Sequence, residues 1–374
     1  MSFRGWEKVP VRVAGGEAAG IAPVVISASR ATDIPAFFGQ WFMRRLGEGY
    51  VRWVNRFNGL PQYVSFERVR VVVFWTKNAG PMVRHLPELD SRGINYYFLF
   101  TLNDYEKETL EPRLPPLATR IDTFRRLSDL AGRNRTVWRF DPLILGGGIT
   151  VQGLLDRVSS VGERIGDHTE RLIISFLDLR KYPRVIRNMR EGGFGEFREF
   201  TPEEMTEFGR GLREINRLWN LSVSACGESE DLGWLGISRG KCVDDLLMAR
   251  AFAHDSALME FLDSCRVSPA TVSFRTATGE AMATTKDRGQ RAACGCIPSK
   301  DIGQYTTCPH GCTYCYANES PRLAMARYLE HAGAGSAGET IVDGRVAPPD
   351  RGARRTRAAH RKDPASTADE RMNS

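Results

Sequence analysis

Short runs rich in β-branched and aromatic residues recur along this chain, and longer amphipathic stretches follow several of them. No other feature restricts the fold so strongly. The runs, at 23–27, 69–75, 96–101, 136–140, 172–176 and 221–225, have the length and composition of strands. Helical periodicity covers 34–46, 117–131, 151–165 and 202–220, and the last opens on Thr201 with Glu204 three residues on, the arrangement of a capping box. Strands that alternate with helices are joined by crossovers, which makes their sheet parallel. The expected fold class is α/β, a partial or full TIM-like (β/α) barrel with six strands visible in the pattern. A chain of 374 residues can bury a core of that size.

In barrels of this kind the working residues gather just past the carboxyl ends of the strands. Those positions hold Ser27, Ser29, Arg30 and Asp33; Thr76, Lys77 and Asn78; Thr101 and Asn103; Arg139 and Asp141; Asp178; and Cys226, Glu228 and Glu230. Read one pair at a time, Arg30 with Asp33 or Arg139 with Asp141 would do no more than pin a loop through charge-assisted hydrogen bonds. Read as a set, they make a rim of opposite charges suited to the carboxylate and ammonium of an amino acid, with Asp or Glu for ribose hydroxyls. Arg30, Asp33, Lys77, Arg139, Asp141 and Glu228 are the candidate cofactor-binding residues.

Chemistry is concentrated in the cysteines. Near the end of the chain stands Cys308-Pro-His-Gly-Cys312-Thr-Tyr-Cys315, a CxxxCxxC pattern with Tyr314 before its last cysteine. Pro309 lacks a backbone donor and Gly311 is costly to fix in a helix, so the segment reads as a loop wrapped around something. The stretch 318–331, with Ser320-Pro321 as its start signal, reads as the helix that follows. Three thiolates with no fourth at matching spacing suit a [4Fe-4S] cube held at three corners, its fourth iron open. The alternative is a zinc site that recruits Cys294 or Cys296 as fourth ligand.

Four more thiols, Cys226, Cys242, Cys294 and Cys296, are enough for an auxiliary iron-sulfur cluster, a structural zinc or a soft-ligand pocket for a thiophilic substrate. Cys226 and Cys242 read equally well as structural bystanders, whereas the Cys294-Gly-Cys296 pair favours a role. Cys265 lies in the helical pattern 255–265 and reads as a small buried hydrophobe. Segment 1–13 lacks a basic-then-apolar leader pattern, and no run approaches the roughly 18 apolar residues of a spanning helix. A cytoplasmic location is expected, and there eight cysteines serve metal or catalysis rather than disulfides.

The segments from Ser27-Ala-Ser-Arg-Ala-Thr-Asp-Ile-Pro-Ala-Phe37 and from Ser299 through the cysteine motif to Asn318 carry a resemblance. The octapeptide resembles the signature of the radical S-adenosylmethionine (SAM) superfamily, with Tyr314 in its aromatic slot. Over about residues 20–332 the chain is similar to a barrel family of formerly unknown function that carries these cysteines at its C-terminal end, and to the noncanonical radical SAM enzyme of arsinothricin biosynthesis. That resemblance implies that Cys308, Cys312 and Cys315 bind the cube and that the amino and carboxylate groups of SAM chelate its open iron. It also implies an electron donor such as flavodoxin or ferredoxin, reductive cleavage of SAM, and transfer of its 3-amino-3-carboxypropyl group to trivalent arsenic, the skeleton of hydroxyarsinothricin. Cys294 and Cys296 would then present arsenite as the catalytic pair. A conventional 5′-deoxyadenosyl-radical enzyme on another substrate, and a zinc-binding protein without catalysis, are the alternatives.

Gly15-Gly16-Glu17 mimics the element that grips the SAM amino group in that superfamily, but it precedes the first strand and is discounted. Gly146-Gly147-Gly148 reads as a turn, since no GK[ST] or GxGxxG frame surrounds it. His85, His168, His254, His331 and His360 stand without partners at ligand spacing, and His310, inside the cysteine loop, is expected to meet backbone or water rather than metal. Net charge is +7, but from Arg351 onward seven Lys/Arg against three Asp/Glu supply +4, leaving +3 for the body. A body so near neutrality offers no evident phosphate-binding surface, so nucleic acid is not an expected partner. The expected organisation is an extension at 1–20, a barrel at 21–332 with its cluster loop at 294–318, and a disordered basic tail at 333–374.

Overall fold

Apolar runs with few polar interruptions become the inner strands of one parallel sheet, as expected where helices cover a sheet on both faces. The structure is a computed structural model that describes residues 3, 5–180, 182–194, 196–267, 283–287, 289–335 and 337–342. In chain order the strands are β1 (Glu7–Val13), β2 (Gly16–Ala22), β3 (Val25–Ala28), β4 (Tyr50–Val54), β5 (Pro61–Ser65), β6 (Val71–Thr76), β7 (Asn95–Thr101), β8 (Thr136–Leu143), β9 (Leu145–Gly146), β10 (Arg171–Phe176), β11 (Phe197–Arg198), β12 (Ser222–Ala225), β13 (Ile237–Arg239), β14 (Arg266–Val267), β15 (Ala283–Thr284) and β16 (Lys300–Asp301). The helices are α1 (Ile34–Phe37), α2 (Gly39–Glu48), α3 (Gly80–Val83), α4 (Leu86–Ser91), α5 (Leu117–Ala131), α6 (Val151–Ile165), α7 (Pro183–Glu191), α8 (Pro202–Asn216), α9 (Asp245–Ala251), α10 (Ser256–Ser264) and α11 (Pro321–Gly333).

Eight strands form the main sheet in the order β13-β12-β10-β8-β7-β6-β3-β16, every neighbouring pair parallel. Side chains alternate between its faces. Ile26, Val72, Phe74, Phe98, Phe100, Trp138 and Ile174 enter the large core formed with α2, α5, α6 and α8. Val25, Val71, Val73, Tyr97, Leu99, Val137 and Ile173 point the other way, into a second core with Leu247 and Met248 of α9, Leu258 and Leu262 of α10, and four cysteines. The outer strands β13 and β16 are not paired with each other among the described residues, yet the Ile297 amide donates to the Val243 carbonyl at 3.1 Å. That bond draws the two ends of the row together.

Local start signals behave as the sequence indicates. Thr201 and Glu204 form the reciprocal capping box of α8, and Ser320 caps α11 through the Leu323 amide. The expected helix 34–46 is instead split into α1 and α2 at Phe38, whose φ of −125° is not helical. The helix expected over 202–220 ends at Asn216, four residues early. Two strands of the main sheet, β13 and β16, lay outside the six-strand pattern because three- and two-residue strands carry no periodicity to read.

The extension at 1–20 contributes β1 and most of β2, an antiparallel hairpin continued by β5 and β4 into a small four-stranded sheet. Ala14-Gly15 makes its turn, and Gly16 opens β2 opposite Val13. The disordered tail expected from 333 is corrected as far as 342. Thr340, Ile341 and Val342 are buried, the Trp41 Nε1–H donates to the Gly338 carbonyl at 2.9 Å, and the Arg52 amide donates to the Glu339 carbonyl at 2.8 Å. Residues 343–374, the basic end, lie outside the described residues. No helix among those described is long and apolar enough to cross a membrane.

Candidate functional site

The cysteine loop is seated on the carboxyl ends of β3, β6 and β7. Lys77, the residue after β6, donates through Nζ to Glu111 Oε1 at 2.7 Å and to the Tyr314 hydroxyl at 2.9 Å. Asn103, two residues past β7, donates to the same hydroxyl at 3.1 Å and to the Asp141 carbonyl at 2.9 Å. Tyr314 in turn donates to Glu111, and Arg120 stands 3.6 Å from the other Glu111 oxygen. Burial would raise Glu111, but Lys77 and Arg120 prevail and hold its carboxyl below the ordinary range. The aromatic residue of CxxxCxxC is therefore a plug whose hydroxyl is locked into a buried charged network.

Asp33 does the same for the first half of the loop. Its carboxylate accepts the Lys77 amide at 2.8 Å and the Ala36 amide, as N-cap of α1, at 3.0 Å. Its Oδ2 also lies 2.9 Å from His310 Nε2, which corrects the expectation that His310 meets only backbone or water. An ionised carboxylate only accepts, so Nε2 carries the proton. His310 Nδ1 is buried with no hydrogen-bond partner among the described residues. Arg113 donates to the Pro309 carbonyl at 3.1 Å and Asn318 to the Cys308 carbonyl at 2.8 Å, closing the loop on both flanks.

Three thiols on one loop are the donor set that an iron-sulfur cube would use. Cys312 is buried, Cys308 and Cys315 half-buried. Burial pushes all three thiols up, while the amides of His310 and Asp33 act on Cys308 and those of Asn318 and Ala317 on Cys315 in the opposite sense, as donors to sulfur. Such donors favour the thiolate form that ligation requires. Among the described residues no group of three or more His, Cys, Asp or Glu is arranged to hold a single metal ion.

A second set of groups lies on the face of the sheet opposite the large core. Trp75 of β6 has the Arg30 guanidinium 5.0 Å and the Arg139 guanidinium 4.9 Å from its ring centroid. Arg139 is paired with Asp141, and Arg30 reaches Ser299 Oγ at 3.3 Å through both terminal nitrogens. Asp301 ties these strands together, accepting from Ser27 Oγ at 2.9 Å, Ser29 Oγ at 2.7 Å and the Arg30 amide at 2.8 Å. The Ser29 side chain packs onto Gly303, where a Cβ would stand 2.0 Å from Ser29 Oγ.

Cys226, Cys242, Cys294 and Cys296 converge on the same face. The amides of Cys242 and Val243 both donate to Cys296 Sγ at 3.3 Å, and the Cys242 thiol donates to Cys226 Sγ at 3.5 Å. Arg291 lies over them, donating to the Cys226 carbonyl at 3.3 Å. Thiol donors and the nearby Arg30 hold Cys296 well below its ordinary value against the cost of burial. Cys265 stands apart as a buried thiol behind α10, pushed up to about 11 by burial.

The candidates thus divide. Cys308, Cys312, Cys315, Tyr314, Asp33 and Lys77 come together, the last three with their polar atoms taken up by the protein itself. Arg30 and Arg139 flank Trp75 on the opposite face, Arg139 paired with Asp141 and Arg30 near Cys296. Glu228 accepts the Phe176 amide at 3.3 Å, bracing β10. Glu111, Trp75, Arg291 and Asp301 were not singled out in the sequence. Glu111 follows β7 by ten residues rather than two, and Asp301 lies within a strand too short to recognise; only the strand-end position of Trp75 offered a signal.

A family model described as Domain of unknown function (DUF1848) matches residues 25–317. No curated protein and no solved structure matches the chain.

Proposed function

The chain belongs to the DUF1848 family, and from that premise we propose that it is a noncanonical radical SAM enzyme built on a partial (β/α) barrel. One observation carries the reading. The CxxxCxxC loop sits at the carboxyl ends of parallel strands, plugged by Tyr314, with amides aimed at two of its three sulfurs. Cys308, Cys312 and Cys315 would hold a [4Fe-4S] cluster, to which SAM would bind. When bound, the cluster supplies one electron to the sulfonium, which breaks a carbon-sulfur bond.

The chain's own residues do the rest. Lys77 and Glu111 fix the loop so that the thiolates keep one arrangement. Arg30, Arg139 and Asp141 offer the methionine end a carboxylate-binding and an ammonium-binding set, and Trp75 between the guanidiniums keeps that wall apolar and rigid. Thiolates prefer soft centres, so Cys294 and Cys296 present trivalent arsenic as acceptor of the 3-amino-3-carboxypropyl group. A small redox protein such as flavodoxin or ferredoxin supplies the electron.

Protein purified without oxygen is expected to hold about four iron and four sulfide per chain. With SAM, strong reductant and arsenite it is expected to release 5′-methylthioadenosine. 5′-Deoxyadenosine instead would mark the conventional radical outcome, and a colourless zinc protein inert to SAM would end the proposal. Replacing Cys294 and Cys296 by Ser should abolish the arsenical product while leaving the cluster absorption unchanged; an undiminished yield removes them from the site.

A further inference from the structure

We propose that Cys226 and Cys242 are a redox-active dithiol, a site for thiol-disulfide exchange with small disulfides, beside Cys294 and Cys296. The two cysteines follow adjacent parallel strands. Ala225 pairs with Arg239, and the Gly240 amide donates to the Ala225 carbonyl at 2.7 Å, so the turns after β12 and β13 are held against each other. A Cβ on Gly240 would stand 2.7 Å from that carbonyl oxygen, which requires glycine at this approach. The two sulfurs lie 3.5 Å apart, against the roughly 2.05 Å of a disulfide.

Cys296 is their neighbour, and the Cys242 and Cys294 thiols also act on it as donors. Its sulfur is fixed by two backbone amides at 3.3 Å. Cys226 and Cys242 are in direct sulfur contact.

The polarity of the pair sets the order of events. Cys242 is the hydrogen-bond donor and 1% exposed; Cys226 is the acceptor and 8% exposed. The Cys242 thiol holds Cys226 below its ordinary value, while Cys242 is itself pushed well up. The more exposed thiolate, Cys226, attacks a small disulfide, forming a mixed disulfide and expelling one thiolate. Cys242 Sγ then attacks Cys226 Sγ, the second thiolate leaves, and the two protons lost by the protein are carried by the two released thiols. The protein pair is oxidised by two electrons and the small disulfide reduced by two.

The full-length protein, equilibrated anaerobically in oxidised and reduced glutathione at graded ratios, is trapped with a maleimide in denaturant and mapped by peptide mass. A Cys226–Cys242 disulfide is expected to rise from one-tenth to nine-tenths over about a hundredfold change in the quotient of oxidised glutathione to reduced glutathione squared. With Cys242→Ser, a glutathione adduct on Cys226 should accumulate at least about tenfold over wild type, having no resolving partner. Full alkylation of both residues at every ratio, a bond between Cys294 and Cys296 in their place, or an adduct unchanged by Cys242→Ser would overturn the assignment. The wild-type titration decides the matter even if the variant does not fold, and it requires neither cluster nor SAM.

Discussion

Tyr314 shows how one hydroxyl can hold a loop. It is buried, and its oxygen is shared by Lys77, Asn103 and Glu111. Tyr314→Phe keeps the ring and removes those bonds, so a loss of about 1–3 kcal/mol is expected in urea unfolding, with lower iron retention after anaerobic reconstitution. Glu111→Gln removes the charge facing both Lys77 and Arg120, and stranding buried cations is expected to cost about 3–5 kcal/mol. An equal cost for the two substitutions would mean that the hydroxyl, not the charge, organises the network. None of this was legible beforehand. Lys77 and Tyr314 stand 237 positions apart, and nothing local to either residue names the other.

Helix α8 illustrates what a segment carries in itself. Its capping box was read from Thr201 and Glu204 alone, because the partners lie within one turn. The structure adds Arg198, paired with the Glu204 carboxylate at 2.5 and 2.6 Å. That pairing and the cap hold Glu204 down to about 2 from an ordinary 4.5. Because the folded value is the lower one, the stability it contributes is complete above about pH 4.5 and disappears as pH falls through about 2. Glu204→Gln should therefore unfold more easily than wild type at pH 6 and lose that difference near pH 2, measured by chemical denaturation at both pH values. A difference that persists at pH 2 would assign the effect to helix geometry instead of charge. Helices α1 and α2 are the contrary case. Their periodicity runs through Phe38 unbroken, yet its backbone leaves the helix where its ring packs on Tyr328 and His331 of α11.

The molecule as a whole is closed by a segment far from the strands it covers. Residues 338–342 lie against α2 and β4, where Gly338 and Glu339 accept from Trp41 and Arg52 and where Ile341 and Val342 are buried. A chain ended after Ala337 should be less stable than one ended after Val342 by about 3–6 kcal/mol, the burial of two aliphatic side chains, as read from denaturant midpoints. Equal midpoints would show that the clasp adds nothing. Composition pointed the wrong way here: a stretch rich in Gly and Ala was read as disordered because its two large apolar residues are few, and their value lies in the groove they fill. The alternating runs, helix starts and thiol spacing could be read directly, since each depends on neighbours within a few positions, where backbone geometry and ligand reach act. The gathering of Asp301 with Ser27 and Ser29, of Glu111 with Tyr314, and of four cysteines from three separate segments waited on folding, because residues hundreds of positions apart meet only when the parallel strands align and draw their carboxyl ends to one place.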